Sequence, residues 1–460
     1  MPRRWRVAAW CCCGLLALTL AHPAAASNPT LHIGLLLRQQ SVQVSGEGDF
    51  AFVHPTGRRL LVARAGEGWR ITPVPAWVWS APREQAPCPL QPDDEVLLVN
   101  AQGKTVAASP LPLTIRPVWG NLQVLGAAAD HWDKVSTRSY RGYLQVVRAA
   151  HGLTLVNAVD LEIYLRGVVP SEMAVRYPLE ALKAQAVAAR TECLSCLGRH
   201  LVDGADMCNT QHCQVYGGAT SEDPRTNQAV EATRGQVLTY QGGIARCVYS
   251  AVCGGHTENN EDVWDVAPLP YLRGQPDFDP AAHPELRFPL SGQALADFVA
   301  NPVDTYCRQP EWSKPEYFRW QVTKSRSELE QALAAAGVRV GSLLALEPLA
   351  RGVSGRIKSL VVQGSAGQAT LGPEYTIRKA LGGLRSSNFV ASVTTGSDGL
   401  PACFTFTGAG WGHGVGMCQI GAVGLAAAGA DYRAILARYF PGTTLSADWQ
   451  IVGGRWRMGR

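Results

Sequence analysis

Glu172 opens the chemistry this chain can do, standing in Gly167-Val168-Val169-Pro170-Ser171-Glu172-Met173. A carboxylate in this position follows an apolar run, expected to be a strand end, and lies beside a proline that stiffens the turn. Apolar neighbours raise a carboxyl pKa, and an acid kept protonated near neutrality can give its proton to a leaving-group oxygen. A helix-capping or ion-paired Glu fits the same spacing. Further on, Lys183 and Arg190 are seven residues apart and share a helical face, with Gln185 close by. That face suits an anionic or polyhydroxyl ligand, or is a solvated charged stripe. The stretch Ala184 to Arg190 has little charge for an exposed helix, so Arg190 is expected in a partly buried, paired site.

Cys193, Cys196, His200, Cys208, His212 and Cys213 follow, and three or four of them have the donor types of a tetrahedral zinc site. Disulfides fit the same cysteines in an oxidising compartment, and both readings stand. Downstream, Tyr249 to Glu258 reads YSAVCGGHTE, a strand end with polar side chains around the pair Gly254-Gly255, where glycine permits close approach of a ligand to the backbone. His256-Thr257-Glu258 matches half of a deaminase motif, but no P-C-x-x-C follows, which excludes that class. Near the C-terminus, GWGHGVGM over 410–417 sets His413 among glycines and beside an aromatic, either as an accessible imidazole or as part of a tight turn. The absence of G-x-S-x-G, a P-loop and H-E-x-x-H removes the commonest serine hydrolase, nucleotide and zincin readings.

Several elements must position these groups. Short apolar runs such as 31–37 and 60–62 read as strands of a β-rich N-terminal region, interrupted by a proline-dense connection over 73–92. Runs at 144–147 and 153–156 form a hairpin around His151-Gly152. The spacing of apolar residues predicts a helix over 178–199 with Pro178 in its first turn, and another over 327–336 with Ser327 and Glu330 as a capping box. Strands at 343–349 and 357–362 and helices over 419–428 and 431–440 complete an α+β pattern.

With 46% hydrophobic and 17% charged residues the chain can bury a sizeable core. Residues 1–26 have the three parts of a secretory signal peptide: Arg3, Arg4 and Arg6, an apolar run over 7–20, and Ala24-Ala25-Ala26. The apolar run is shorter than the ~20 residues a membrane-spanning helix needs, which argues against a multispanning protein. Cleavage near Ala26 removes Cys11, Cys12 and Cys13 and leaves ten cysteines. It also lowers the net charge from +5 to about +2, too little to steer toward nucleic acid.

VVPSEMAVRYPLEALKAQAVAARTECL over 168–194 closely resembles the stage II sporulation protein D (SpoIID/LytB) family. The resemblance continues through CNTQHCQVYGG (208–218), SAVCGGHTENNEDVW (250–264), SGRIKSLVVQG (354–364), IRKALGGLRSSNF (377–389) and GWGHGVGMCQIGA (410–422). It covers roughly residues 139–445 and implies an α+β, SpoIID-like mixed sheet-and-helix catalytic domain over 136–450; the β-rich region over 27–135, read from its apolar runs, lies outside the resemblance, and a tail over 451–460 follows. It implies an exported lytic transglycosylase of the cell envelope, cutting peptide-stripped peptidoglycan between N-acetylmuramic acid and N-acetylglucosamine to leave 1,6-anhydromuramic ends. Glu172 would be the catalytic acid and base and Arg190 its companion. Lys183, Gln185, Tyr216, Ser250, Gly254, Gly255, Thr257, Glu258 and His413 would line the substrate cleft. A zinc ion on His200, Cys208 and Cys213 is implied by similar members, and no organic cofactor. The resemblance also implies a second reading, a wall-binding protein that stimulates a cell-wall amidase without cutting glycan.

Overall fold

The computed structural model describes residues 28–74, 94–127, 135–397, 399–452 and 455–458. The expected signal peptide, Cys88 and most of the proline-dense connection lie outside them. Twelve strands come first: β1 (Thr30–Gln39), β2 (Val42–Gly46), β3 (Phe50–Val53), β4 (Arg59–Ala63), β5 (Trp69–Pro73), β6 (Glu95–Asn100), β7 (Thr105–Pro110), β8 (Leu113–Pro117), β9 (Leu122–Ala127), β10 (Ser136–Tyr140), β11 (Tyr143–Ala149) and β12 (Gly152–Asp160). One sheet runs Met207–Cys208, β1, β12, β11, β8, β3, β4 and the other β10, β9, β2, β5, β6, β7. The neighbours are antiparallel except Met207–Cys208, which lies parallel to β1.

β12 is buried on both faces from Gly152 to Val159, Thr154 and Asn157 included, so it lacks the alternation of a half-exposed strand. The expected hairpin is β11 and β12, and β1 pairs along β12 from Thr30↔Asp160 to Gln39↔Leu153. Both sheets therefore contain strands from either side of residue 135. Hydrophobic runs reveal which segments are strands, but their partners are set by contacts distant in sequence.

Asp160 ends β12 and caps the next helix, its Oδ1 accepting the Glu162 and Ile163 amides. That helix, α1 (Leu161–Glu172), extends through the segment expected to be a strand end and turn. Val168 and Val169 are fully buried within it, and a short apolar run does not by itself separate strand from helix. Pro170 is tolerated in the last turn, where Ser171 Oγ donates to the Gly167 carbonyl at 2.7 Å. Then α2 (Leu179–Ser195) stops a turn short of the predicted end, with Gly198 beyond it at φ +87°. Residues 181–194 of α2 are buried apart from Lys183, which makes it the central helix of the molecule. It packs against α1, the helices Pro224–Ala232, Gln419–Ala427 and Tyr432–Tyr439, and one apolar core joins them to both sheets.

The remainder has its own core around Trp320, Phe389, Phe404 and Phe406. It holds two three-stranded sheets, one with Arg319–Ser325, Pro401–Ala409 and Phe389–Thr395, the other with Leu343–Arg351, Ile357–Gly364 and Gly367–Leu371. The helix expected over 327–336 is Arg326–Ala335, and its capping box is Ser325 with Glu328, two residues earlier than the predicted pair. The expected C-terminal tail pairs as a ribbon, Trp449–Val452 with Arg455–Met458. The architecture is α+β.

Candidate active site

Glu172 is the last residue of α1 and is half-buried. Its Oε1 accepts the Val215 amide at 2.8 Å, which anchors one oxygen of the carboxyl group. Gln419, at the start of the Gln419–Ala427 helix, donates from Nε2 to the Glu172 carbonyl (3.2 Å) and to Gln185 Oε1 (3.3 Å). Gln185 is fully buried, and its Nε2 has no hydrogen-bond partner among the described residues. Gln214 donates to the Tyr249 hydroxyl at 3.1 Å and to the Ala189 carbonyl at 3.0 Å, and its Oε1 takes the Tyr164 hydroxyl at 3.2 Å. Burial, and then the Glu172 charge, push the Tyr249 phenol well above its ordinary range, so its proton stays on.

Four stretches of chain thus meet at Glu172: the end of α1, the loop carrying Gln214 and Val215, the Tyr249–Ser250 strand and the segment leading into Gln419. The last two pair in parallel, Tyr249↔Met417 and Ser250↔Cys418. Ser250 Oγ accepts the Gly414 amide at 3.2 Å. The alternate glycines at 410, 412, 414 and 416 all have positive φ, and a Cβ at Gly414 would stand 2.4 Å from the Arg356 guanidinium carbon. His413 uses both ring nitrogens on backbone: Nε2 donates to the Tyr249 carbonyl (2.9 Å) and Nδ1 accepts the Val415 amide (3.0 Å). Burial first, and then Arg356, lower its pKa to about 3, so the ring is neutral and locks this ladder. Its ring packs at a tilt against Trp264, with centroids 4.9 Å apart.

Other residues expected to line the cleft have interior positions. Arg190 is fully buried and forked onto Glu162, Nε to Oε1 at 2.8 Å and Nη2 to Oε2 at 2.6 Å, with further bonds to the Gln236 and Val230 carbonyls. Glu162 and Glu172 are ten residues apart on α1, which is ~15 Å of helix. Arg190 thus acts at the opposite end of α1 from the carboxyl group it was expected to accompany, and it holds α1 on α2. Tyr216 is buried with its hydroxyl on Asn157 Oδ1 at 2.9 Å and its ring against Tyr164 and Tyr140, a core position. Thr257 exchanges hydrogen bonds with the Gln275 backbone. Glu258 is wholly buried on Ser354, whose Oγ donates at 2.6 Å, and burial raises its pKa. Gly254 and Gly255, at φ +83° and +106°, admit a close approach of backbone, but to Ala409 and Gly410 in the case of Gly254 rather than to a ligand. Lys183 is half-buried, paired with Glu180 at 2.6 Å and 5.8 Å from the Tyr432 ring.

The metal-type residues do assemble. His200, Cys208, His212 and Cys213 bring one donor atom each within 4.8 Å of one another, adding His212 to the expected three. Zinc bonds of ~2.05 Å to nitrogen and ~2.3 Å to sulfur would set donors about 3.3 Å (N···N) and about 3.6 Å (N···S) apart on a tetrahedron. His200 Nε2 is 3.0 Å from His212 Nδ1, which is 3.8 and 3.7 Å from the sulfurs of Cys208 and Cys213. Asp203 takes His200 Nδ1 at 2.9 Å and so turns Nε2 toward the cluster, the usual arrangement for a ligating histidine. Cys193 and Cys196 stay outside it as buried thiols, and every described cysteine is unbonded, so the disulfide reading finds no bond here. A cavity of about 380 Å³ opens beside His200, Cys208 and His212. A metal held here would supply a four-ligand cross-link for the loop that ends at Val215.

Gln214, Tyr249 and Gln419 went unassigned in the sequence. All three lie inside the quoted motifs or next to them, but motif membership does not say that Gln419 bonds the Glu172 backbone or that Gln214 holds the Tyr249 hydroxyl.

The stage II sporulation protein family model matches residues 149–240, and that of a domain of unknown function matches 258–416. An uncharacterized protein of Brachyspira hyodysenteriae is 33% identical over 311 residues, covering 66% of this chain and 72% of that protein. The amidase enhancer of Bacillus subtilis is 33% identical over 297 residues, 62% of this chain but 40% of the enhancer. Stage II sporulation protein D of Bacillus amyloliquefaciens is 29% identical over 309 residues, 63% of this chain and 75% of that protein.

Proposed function

The chain belongs to the stage II sporulation protein D family, and on that premise we propose that it is an exported peptidoglycan lytic transglycosylase with Glu172 as its single acid and base. The observation that carries the reading is the seat of Glu172: a carboxyl group at a helix end, held at Oε1 by the Val215 amide and near enough to Tyr249 to raise its pKa, with Gln419 on the Glu172 backbone carbonyl. An ordinary glycosidase needs a second carboxylate to act as base or nucleophile. Here the muramic 6-hydroxyl serves as nucleophile. Glu172 protonates the glycosidic oxygen as its bond to C1 breaks, the 6-oxygen bonds to C1, and Glu172 then takes the hydroxyl proton and is regenerated. No water is consumed. The substrate is a glycan strand of the cell envelope, reached after a signal peptide is removed near Ala26.

A second reading has one observation in its favour, the likeness to an amidase enhancer: the same cleft binds glycan and stimulates a cell-wall amidase. Glu172→Gln, nearly isosteric but unable to donate, separates the two. The first reading predicts that cleavage of peptide-free glycan strands falls by roughly 100-fold or more while co-sedimentation with the strands is kept. Cleavage at the unaltered rate would sink it. An inactive parent chain that accelerates an amidase would establish the second.

A further inference from the structure

We propose that Cys253, Asp277, Cys307 and Cys418 form a buried, structural zinc site, separate from the cluster around His200. Their donor atoms lie within 4.8 Å of one another and all four residues are at most 1% exposed. The Cys253 and Cys307 sulfurs are 3.6 Å apart. Two thiolates on one tetrahedral ion with bonds of ~2.3 Å would be about 3.8 Å apart, whereas a disulfide needs ~2.05 Å. Three sulfurs and one carboxylate oxygen are a soft donor set that favours zinc over calcium or magnesium.

The carboxylate supplies the independent sign of a missing cation. Tyr439 donates to Asp277 Oδ1 at 2.7 Å, while Oδ2 is buried with no hydrogen-bond partner among the described residues. A buried carboxylate oxygen left without a partner is costly, and a cation in the cluster removes that cost. Gly421 makes room for it, since a Cβ there would stand 2.8 Å from Oδ2 and 2.1 Å from the Tyr439 oxygen. The sulfurs are prepared as well. Cys418, at the N-cap of the Gln419–Ala427 helix, accepts the Cys253 amide at 3.1 Å and the Gly421 amide at 3.3 Å, bonds that stabilise a thiolate. Thr305 Oγ1 lies 3.5 Å from the Cys307 sulfur.

Three thiolates and a carboxylate leave a zinc complex with excess negative charge. Guanidinium groups surround it: Arg356 donates to the Cys253 carbonyl (3.0 Å), Arg319 to the Gly254 carbonyl (3.0 Å) and Arg438 to the Pro276 carbonyl (2.6 Å). Four protein ligands and full burial leave no open position, so the ion's work is to join four distant segments. One of them, through Cys418, leads directly into Gln419 beside Glu172.

Zinc content by mass spectrometry and the zinc X-ray absorption edge of the full chain, purified in reductant, test this. The expected result is two zinc ions per chain, and one remaining in Cys208→Ser/Cys213→Ser with a shell of three sulfurs and one oxygen. If that variant does not fold, the unaltered chain still decides. A single zinc with two sulfurs and two nitrogens overturns the proposal, as does a Cys253–Cys307 disulfide in peptides mapped without reductant.

Discussion

His413 stood in the sequence as a candidate for the cleft and His256 only as half of an excluded motif, and their surroundings make both neutral structural groups. His256 is 2% exposed, with Nδ1 on the Thr257 carbonyl at 2.7 Å and its ring 4.0 Å from Phe288. Burial lowers its pKa to about 4, as it lowers that of His413 to about 3. An unfolded chain takes up these protons near pH 6.5 and the folded one does not, so stability is full above that pH and falls as the medium is acidified toward pH 4. Each histidine contributes a slope of at most about 1.4 kcal/mol per pH unit. Urea unfolding at pH 7 and pH 4.5 should show the loss, and it should be smaller in His413→Gln. An unchanged slope in that variant would mean that His413 titrates normally in the folded chain. At this scale Glu172 and the set His200, Cys208 and Cys213 were singled out by the family resemblance, since residue type and spacing alone fit a capping Glu and disulfides as well. Tyr216 and Glu258 were not, since their meaning lies in partners such as Asn157 and Ser354 that are far away in sequence.

α1 carries two carboxylates with opposite tasks. Glu162 at its start is sealed against Arg190, and Glu172 at its end is half-buried at the meeting of four segments. Removing one partner of a buried pair leaves an uncompensated charge, so Arg190→Met should cost about 3–5 kcal/mol of folding free energy. Denaturant unfolding measures this directly. A variant with native stability and no cleavage would return Arg190 to the reaction. The charge-poor sequence of α2 already pointed to a paired, buried Arg190, but no pattern within α2 could reveal that its partner was Glu162, 28 residues earlier. The segment after β12 shows a limit of another kind. Val168 and Val169 suit a strand or a helix equally, and it is burial against α2 within a common core that makes them helical.

Across the whole molecule, the motifs that resemble the family are spread over more than 200 residues, and the fold gathers several of them at one carboxyl group. Strand and helix runs were readable from periodicity, and with them the α+β class. The sharing of both sheets across residue 135 was not, because β1 pairs with β12 far away in sequence, from Thr30↔Asp160 to Gln39↔Leu153. Nor was the seat of Glu172, assembled from Val215, Tyr249 and Gln419. The proposed reaction has this assembly cut glycan with one carboxyl group and no water. Mass spectrometry of the sugars released from peptide-free glycan strands by the mature chain tests it most directly. The expected fragments have 1,6-anhydromuramic ends and are lighter than hydrolysis products by one water. Fragments with ordinary reducing ends would contradict it.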